Sequence, residues 1–127
     1  MIKDPKVTLL YPPIQTWEGF QCKPNGSLAY PYLAAALMRH GVDVEIFDAS
    51  VGEGEDDLDA IFASPILLPT GMYRTGVSDE RMLSRLKDST VVGITSIFSE
   101  QESIVLETIR KIRRTYPEKY IICGGVK

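Results

Sequence analysis

The chain is poor in the residues that build a self-contained metal or redox centre. Its 127 residues include two cysteines, Cys22 and Cys123, and one histidine, His40. There is no Cys-x-x-Cys and no second imidazole, so neither a zinc nor an iron–sulfur site made by this chain alone is expected. Positive charge is also scarce: 14 Lys and Arg face 17 Asp and Glu, a formal net charge of −3. Without a basic excess no field gathers phosphate backbones, and nucleic acid is not an expected partner. Long apolar runs are missing as well. Those at residues 33–38 and 66–68 fall far short of the roughly 18 to 20 residues that cross a bilayer, so no membrane span is expected. The opening Met1-Ile2-Lys3-Asp4-Pro5 lacks the apolar stretch of a secretory signal. The expected location is therefore cytoplasmic, with both thiols free.

What the chain does have is an ordinary globular composition, 44% hydrophobic and 24% charged. Its length suits one domain with a real core, and disordered or low-complexity classes are excluded. Residues 6–11, KVTLLY, read as a buried strand stopped by Pro12-Pro13. Ala29, Tyr32, Leu33, Ala36 and Leu37 recur at helical spacing before Gly41, with Pro31 confined to the first turn. Residues 42–48, VDVEIFD, read as an edge strand. Regular alternation then breaks down over residues 49–77, which read as an insertion. It begins with a solvated acidic loop and carries a short helix near residues 57–63. Its Ile66, Leu67 and Leu68, flanked by prolines, suit a packed loop better than a strand.

Ser78 caps a helix with Asp79 and Glu80 in its first turn and Met82, Leu83 and Leu86 on its buried face. Residues 90–95 form the next strand. Ser99 and Glu102 have capping-box spacing, followed by an apolar stripe of Val105, Ile109, Ile112 and Tyr116. Residues 120–124 form the last strand, with Cys123 expected in the core. This order of elements implies an α/β fold, a flavodoxin-like (Rossmann-like) doubly wound parallel sheet with crossover helices on both faces. Four strands with no closing helix suggest a sheet cut before its fifth strand and last helix, and so a fragment of a longer protein.

In such a sheet ligands bind beyond the carboxyl ends of the strands, which selects residues 11–26, 48–50, 95–99 and 124–125. Tyr11-Pro12-Pro13 and Thr95-Ser96 replace the acidic residues a phosphoacceptor receiver needs. Residues 14–20, IQTWEGF, are too bulky for a flavin phosphate loop. Gly52 and Gly54 lie among carboxylates that repel a pyrophosphate. Trp17 and Phe20 either pack locally or cover a ligand. Cys22 has only Lys23 as a basic neighbour, which gives weak grounds for reactivity.

Residues 6–13 (KVTLLYPP), 26–41 (GSLAYPYLAAALMRHG), 44–49 (VEIFDA), 91–97 (VVGITSI) and 121–125 (IICGG) follow one another in an order and spacing that resembles a known family. It is the N-terminal cobalamin (B12)-binding domain of B12-dependent radical SAM proteins, including the branch similar to the anaerobic magnesium-protoporphyrin IX monomethyl ester cyclase. The resemblance covers nearly the whole chain, as one cobalamin-binding domain over residues 1–127. It implies that Thr95 and Ile97 match the family's Ser-x-Leu pair and that Gly124 and Gly125 match its double glycine. Tyr11, Pro12, Pro13 and Ser96 complete the implied cofactor site. A glycine admits the cofactor's nucleotide tail against bare backbone.

The Asp-x-His-x-x-Gly element that gives cobalt a histidine in other cobalamin domains is absent. His40, at the far end of its helix, cannot replace it, so the resemblance implies base-off cobalamin without a His ligand. It implies no catalytic residue in this chain. The [4Fe-4S] cluster and S-adenosylmethionine would belong to a radical SAM domain of the parent protein, the expected partner. The alternative is a flavodoxin-like docking or regulatory module that has lost its cofactor.

Overall fold

The structure is a computed structural model and describes residues 4–19, 28–96 and 99–124. Its elements run β1 (Lys6–Tyr11), β2 (Ile14–Thr16), α1 (Ala29–Arg39), β3 (Asp43–Asp48), α2 (Leu58–Ala63), β4 (Ile66–Leu67) and β5 (Tyr73–Thr75). They continue with α3 (Asp79–Arg85), β6 (Val91–Thr95), a 3-10 turn (Ser99–Gln101), α4 (Glu102–Thr115) and β7 (Tyr120–Gly124). The main sheet is parallel throughout in the order β3-β1-β6-β7. Chain order and space order reverse between β3 and β6, on either side of β1, which is the switch point of a flavodoxin-like fold. The expected fold class is therefore observed.

Side chains alternate across each strand, and the two faces of the sheet are covered differently. Thr8 and Leu10 of β1, Phe47 of β3, and Val92 and Ile94 of β6 face α3 and α4. There most of them join Met82, Leu86, Val105 and Ile112 in one buried cluster. Val7 and Leu9 of β1, Val44 of β3 and Val91 of β6 face the other way, against Tyr30 and Ala34 of α1. No described helix covers β6 and β7 on this second face, and Tyr120 and Ile122 stand 57% and 63% exposed.

Local chemistry explains the helix ends. Ser78 accepts from the Arg81 amide at 3.1 Å and Asp57 from the Ala60 amide at 3.2 Å, each meeting a donor that a helix start leaves unpaired. Pro31 lies in the first turn of α1, and Gly41 beyond its end takes the left-handed φ of +76°.

The structure corrects five expectations. Segment 49–77 is not a plain loop: β4 and β5 join β2 in a second, antiparallel sheet of order β2-β5-β4, with Ile66 and Leu67 exposed rather than packed. The buried stripe of α1 is Tyr30 and Ala34, with the expected Leu37 half-buried beside them, while Ala29, Tyr32, Leu33 and Ala36 are exposed. The capping box does not form. Gln101 is the cap of α4 without a side-chain cap bond, because Ser99 and Gln101 are wound into the 3-10 turn.

Cys123 is exposed, since β7 is an edge strand among the described residues. The acidic loop is pinned rather than merely solvated. Asp56 accepts two bonds from Arg81 at 3.0 and 3.1 Å, and Glu53 accepts from Arg85. Both guanidinium groups lie 5.4 Å from the Phe47 ring centre, so the acidic residues hold two cations over the core. At Gly52 a Cβ would meet the Asp56 side chain at 2.6 Å, so a glycine is needed where the loop folds back.

Candidate functional site

The carboxyl ends of the four strands of the main sheet form a row. Strand register pairs Tyr11 with Asp48, Leu10 with Ile94, and Thr95 with Gly124, so Asp48, Tyr11, Thr95 and Gly124 lie side by side across the sheet. By alternation Tyr11, Thr95 and Gly124 share the face that α1 covers only in part, together with Gly93. The ring of Tyr30 stands edge-on to Tyr11, with centroids 6.4 Å apart, and its hydroxyl donates to Leu10 O at 2.5 Å. Burial pushes the Tyr30 phenol well above its ordinary pKa, and burial followed by the charge of Asp48 raises that of Tyr11. Both phenols therefore stay neutral donors at physiological pH.

Among the described residues the space around Gly124 is open, with no heavy atom beyond its chain neighbours within 4 Å of where a Cβ would sit. Its carbonyl accepts from the Ser96 amide at 2.8 Å, tying the ends of β6 and β7 together. The strand ends thus present Thr95 and Gly124 side by side on this face, edged by Tyr11 and Tyr30.

The opposite face of the same strand ends is closed. Tyr11, Pro12, Pro13, Ile14, Thr95, Ser96, Gln101 and Val105 enclose about 20 Å³, room for one water. The Ser96 hydroxyl is buried beside this space without a hydrogen-bond partner among the described residues. Gln15 and Gln101 lock the closure: Gln15 N donates to Gln101 Oε1 at 2.9 Å, and Gln101 Nε2 donates back to Gln15 O at 2.8 Å. Gln15 Nε2 also reaches Glu100 O and Ser103 Oγ at 2.7 and 2.8 Å, clamping β2 to the start of α4. Pro13 packs against Gly76, whose Cβ would come within 3.0 Å of it, so this proline is a wall of the fold.

Five of the residues selected from sequence, Tyr11, Pro12, Pro13, Thr95 and Ser96, thus meet at one place, and Gly124 adjoins them. Ile97 and Gly125 lie outside the described residues, as do Phe20 and Cys22. Trp17 is 55% exposed and does not fill the strand-end space. His40 caps the far end of α1, away from the site. Sequence reasoning missed Tyr30, Gln15 and Gln101; a polar Gln within an apolar run at residues 14–17 is the one trace of the clamp.

As a test of cobalamin against these residues, the closed side is too small for any part of the cofactor. The α1 side fits at its strand-end edge, because Thr95 offers a hydroxyl and Gly124 offers bare backbone beside space that no described residue fills, whereas Leu9 already crosses the face at Gly93. Among the described residues no group of three or more His, Cys, Asp or Glu could hold a metal ion. No described helix is long and apolar enough to cross a membrane. No protein-family model, curated protein or solved structure matches the chain.

Proposed function

We propose that this chain is a cobalamin-binding domain of a B12-dependent radical SAM enzyme of methyltransferase or cyclase type. The observation that carries the reading is the open floor at Thr95 and Gly124 at the switch-point end of a parallel sheet, on the face that α1 leaves half covered. The match of Thr95-Ser96-Ile97 and Gly124-Gly125 to the family's two cofactor elements supports it, and so does the order of the strands. Thr95 would hold the benzimidazole end of the nucleotide tail, with Tyr11 and Tyr30 along its edge. Bound cobalamin supplies a cobalt atom able to carry a methyl group. The chain's own contribution is to bind and orient it and to keep water from one side. No residue here would be catalytic, and the cluster and S-adenosylmethionine would sit on a separate radical SAM domain.

A second reading has its own support. Tyr120 and Ile122, exposed on the same face, are the surface a partner protein would cover in a cofactor-free docking module. An anaerobic titration with hydroxocobalamin, followed by visible absorption, separates the two. The cofactor reading expects saturation near one equivalent, a base-off spectrum without histidine ligation, and loss of both in Thr95→Trp. An unchanged spectrum throughout would favour the docking module.

A further inference from the structure

A second cleft, of about 470 Å³, lies between the small antiparallel sheet and α4, away from the α1 face. Its size falls in the range of small-molecule sites. Part of the lining is apolar, made by Leu68 and Pro69 after β4 and by the buried Ile104 of α4. The lining also carries Arg74, Arg110 and Lys111, opposed within it by Glu107 alone.

The cations outnumber their carboxylates because each carboxylate is shared. Asp79 accepts from Arg74 Nη2 at 3.1 Å and from Lys111 Nζ at 2.8 Å. Glu107 faces Arg110 at 3.5 Å and Arg114 at 3.3 Å. Glu80 adds an attraction at Arg74, but it is exposed and screened by water. Arg74 is the unusual member, only 6% exposed: its Nη2 donates to the Val77 carbonyl at 2.7 Å as well as to Asp79, and its charge, removed from water, is met by a carboxylate that it shares with Lys111. Ser103 Oγ already accepts from Gln15 Nε2, so its own hydrogen is available to an acceptor.

We propose that this cleft binds a small organic acid, its carboxylate held among Arg74, Arg110 and Lys111 and its apolar chain laid against Leu68, Pro69 and Ile104. The anion restores the balance that Asp79 and Glu107 leave incomplete, and the apolar part of the lining selects against inorganic anions. The site depends on the 49–77 segment, which supplies Leu68, Pro69 and Arg74, and so gives that segment a role independent of the cobalamin reading.

The test is a titration of the full chain with sodium hexanoate, followed by amide chemical shifts in ¹H–¹⁵N NMR, with 1-hexanol and acetate as matched probes. Hexanoate should saturate with a Kd on the order of 1 mM and shift the amides of Thr70, Arg74, Ser103 and Lys111. Hexanol, lacking the charge, and acetate, lacking the tail, should each bind about tenfold more weakly or worse. Arg110→Gln, at an exposed position, should weaken hexanoate by about three- to fivefold. Thr70→Trp, also exposed, should abolish its binding by filling the cleft. Hexanol binding as tightly as hexanoate, an unchanged affinity in Thr70→Trp, or shifts that never saturate would each overturn the proposal.

Discussion

The two faces of the main sheet are built to different standards. On the α3/α4 side ten buried residues form one cluster, and Leu10, Phe47, Ala49, Met82, Leu86, Val92 and Ile112 are wholly inaccessible. On the α1 side the buried cluster has six residues, each keeping 5 to 8% exposure, and beyond it Tyr120 and Ile122 stand open. The sealed face fixes the fold by removing apolar area from water. The loose face contributes less to stability and retains surface on which something else can rest. A site at the strand ends therefore belongs on the loose side, where binding does not have to break a packed core.

The largest effect that tests this asymmetry is on stability. Phe47→Ala removes a ring at 0% exposure and the platform for two guanidinium groups, and should cost about 3–5 kcal/mol by urea denaturation. Ile122→Ser, on the open side, should stay within about 0.5 kcal/mol. Similar losses from the two would mean that the faces do not differ. Tyr30→Phe removes the bond to the Leu10 carbonyl on the α1 face and should cost about 1 kcal/mol in the same assay.

Ser96→Ala runs the other way. Its hydroxyl is buried and unpartnered among the described residues, so its removal should leave stability unchanged or raise it by about 0.5–1 kcal/mol. A clear loss would mean that this hydroxyl has a partner in solution, such as a water in the small cavity.

The smallest effect concerns acid. Arg85, through its side-chain hydrogen bond, holds Glu45 below its ordinary 4.5, and Arg81 in the same way holds Asp56 below 3.8. Both carboxyls have depressed folded-state values, so their contribution is complete above the ordinary values and is lost as pH falls through the depressed ones. Urea midpoints should thus decline as pH drops below 4.5, less steeply in Arg81→Ala and Arg85→Ala and less steeply in high salt. A slope unaffected by either substitution would place the acid sensitivity elsewhere.

Much of the sheet was legible because its strands are apolar runs ended by Pro, Gly or Asp, and because β7 and β1 coincide with such runs. The α1 face was harder to read. The helix carries two apolar stripes, Ala29-Tyr32-Leu33-Ala36 and Tyr30-Ala34-Leu37, both at helical spacing, and only the packing against Val7, Leu9 and Val44 decides between them. The second sheet was invisible because its strands have three, two and three residues, too short for alternation to register, and because β2 joins it by pairing with the distant β5. The missing capping box has a comparable cause: Gln101 is taken by Gln15, eighty-six positions away, and a local pattern carries no trace of such a partner. The site residues were legible to the extent that topology selects strand ends, but which face of those ends is open could be read only from the packing.

Ile121 and Ile122 are neighbours in sequence that point to opposite faces, one packed against the α3/α4 cluster and one exposed on the α1 side. Methyl NMR of these two residues during a hydroxocobalamin titration is the most direct test of the central claim. The account predicts a saturable shift of the Ile122 methyls from the cofactor's ring system, with Ile121 nearly unmoved. A shift at Ile121 instead, or at neither residue, would contradict it.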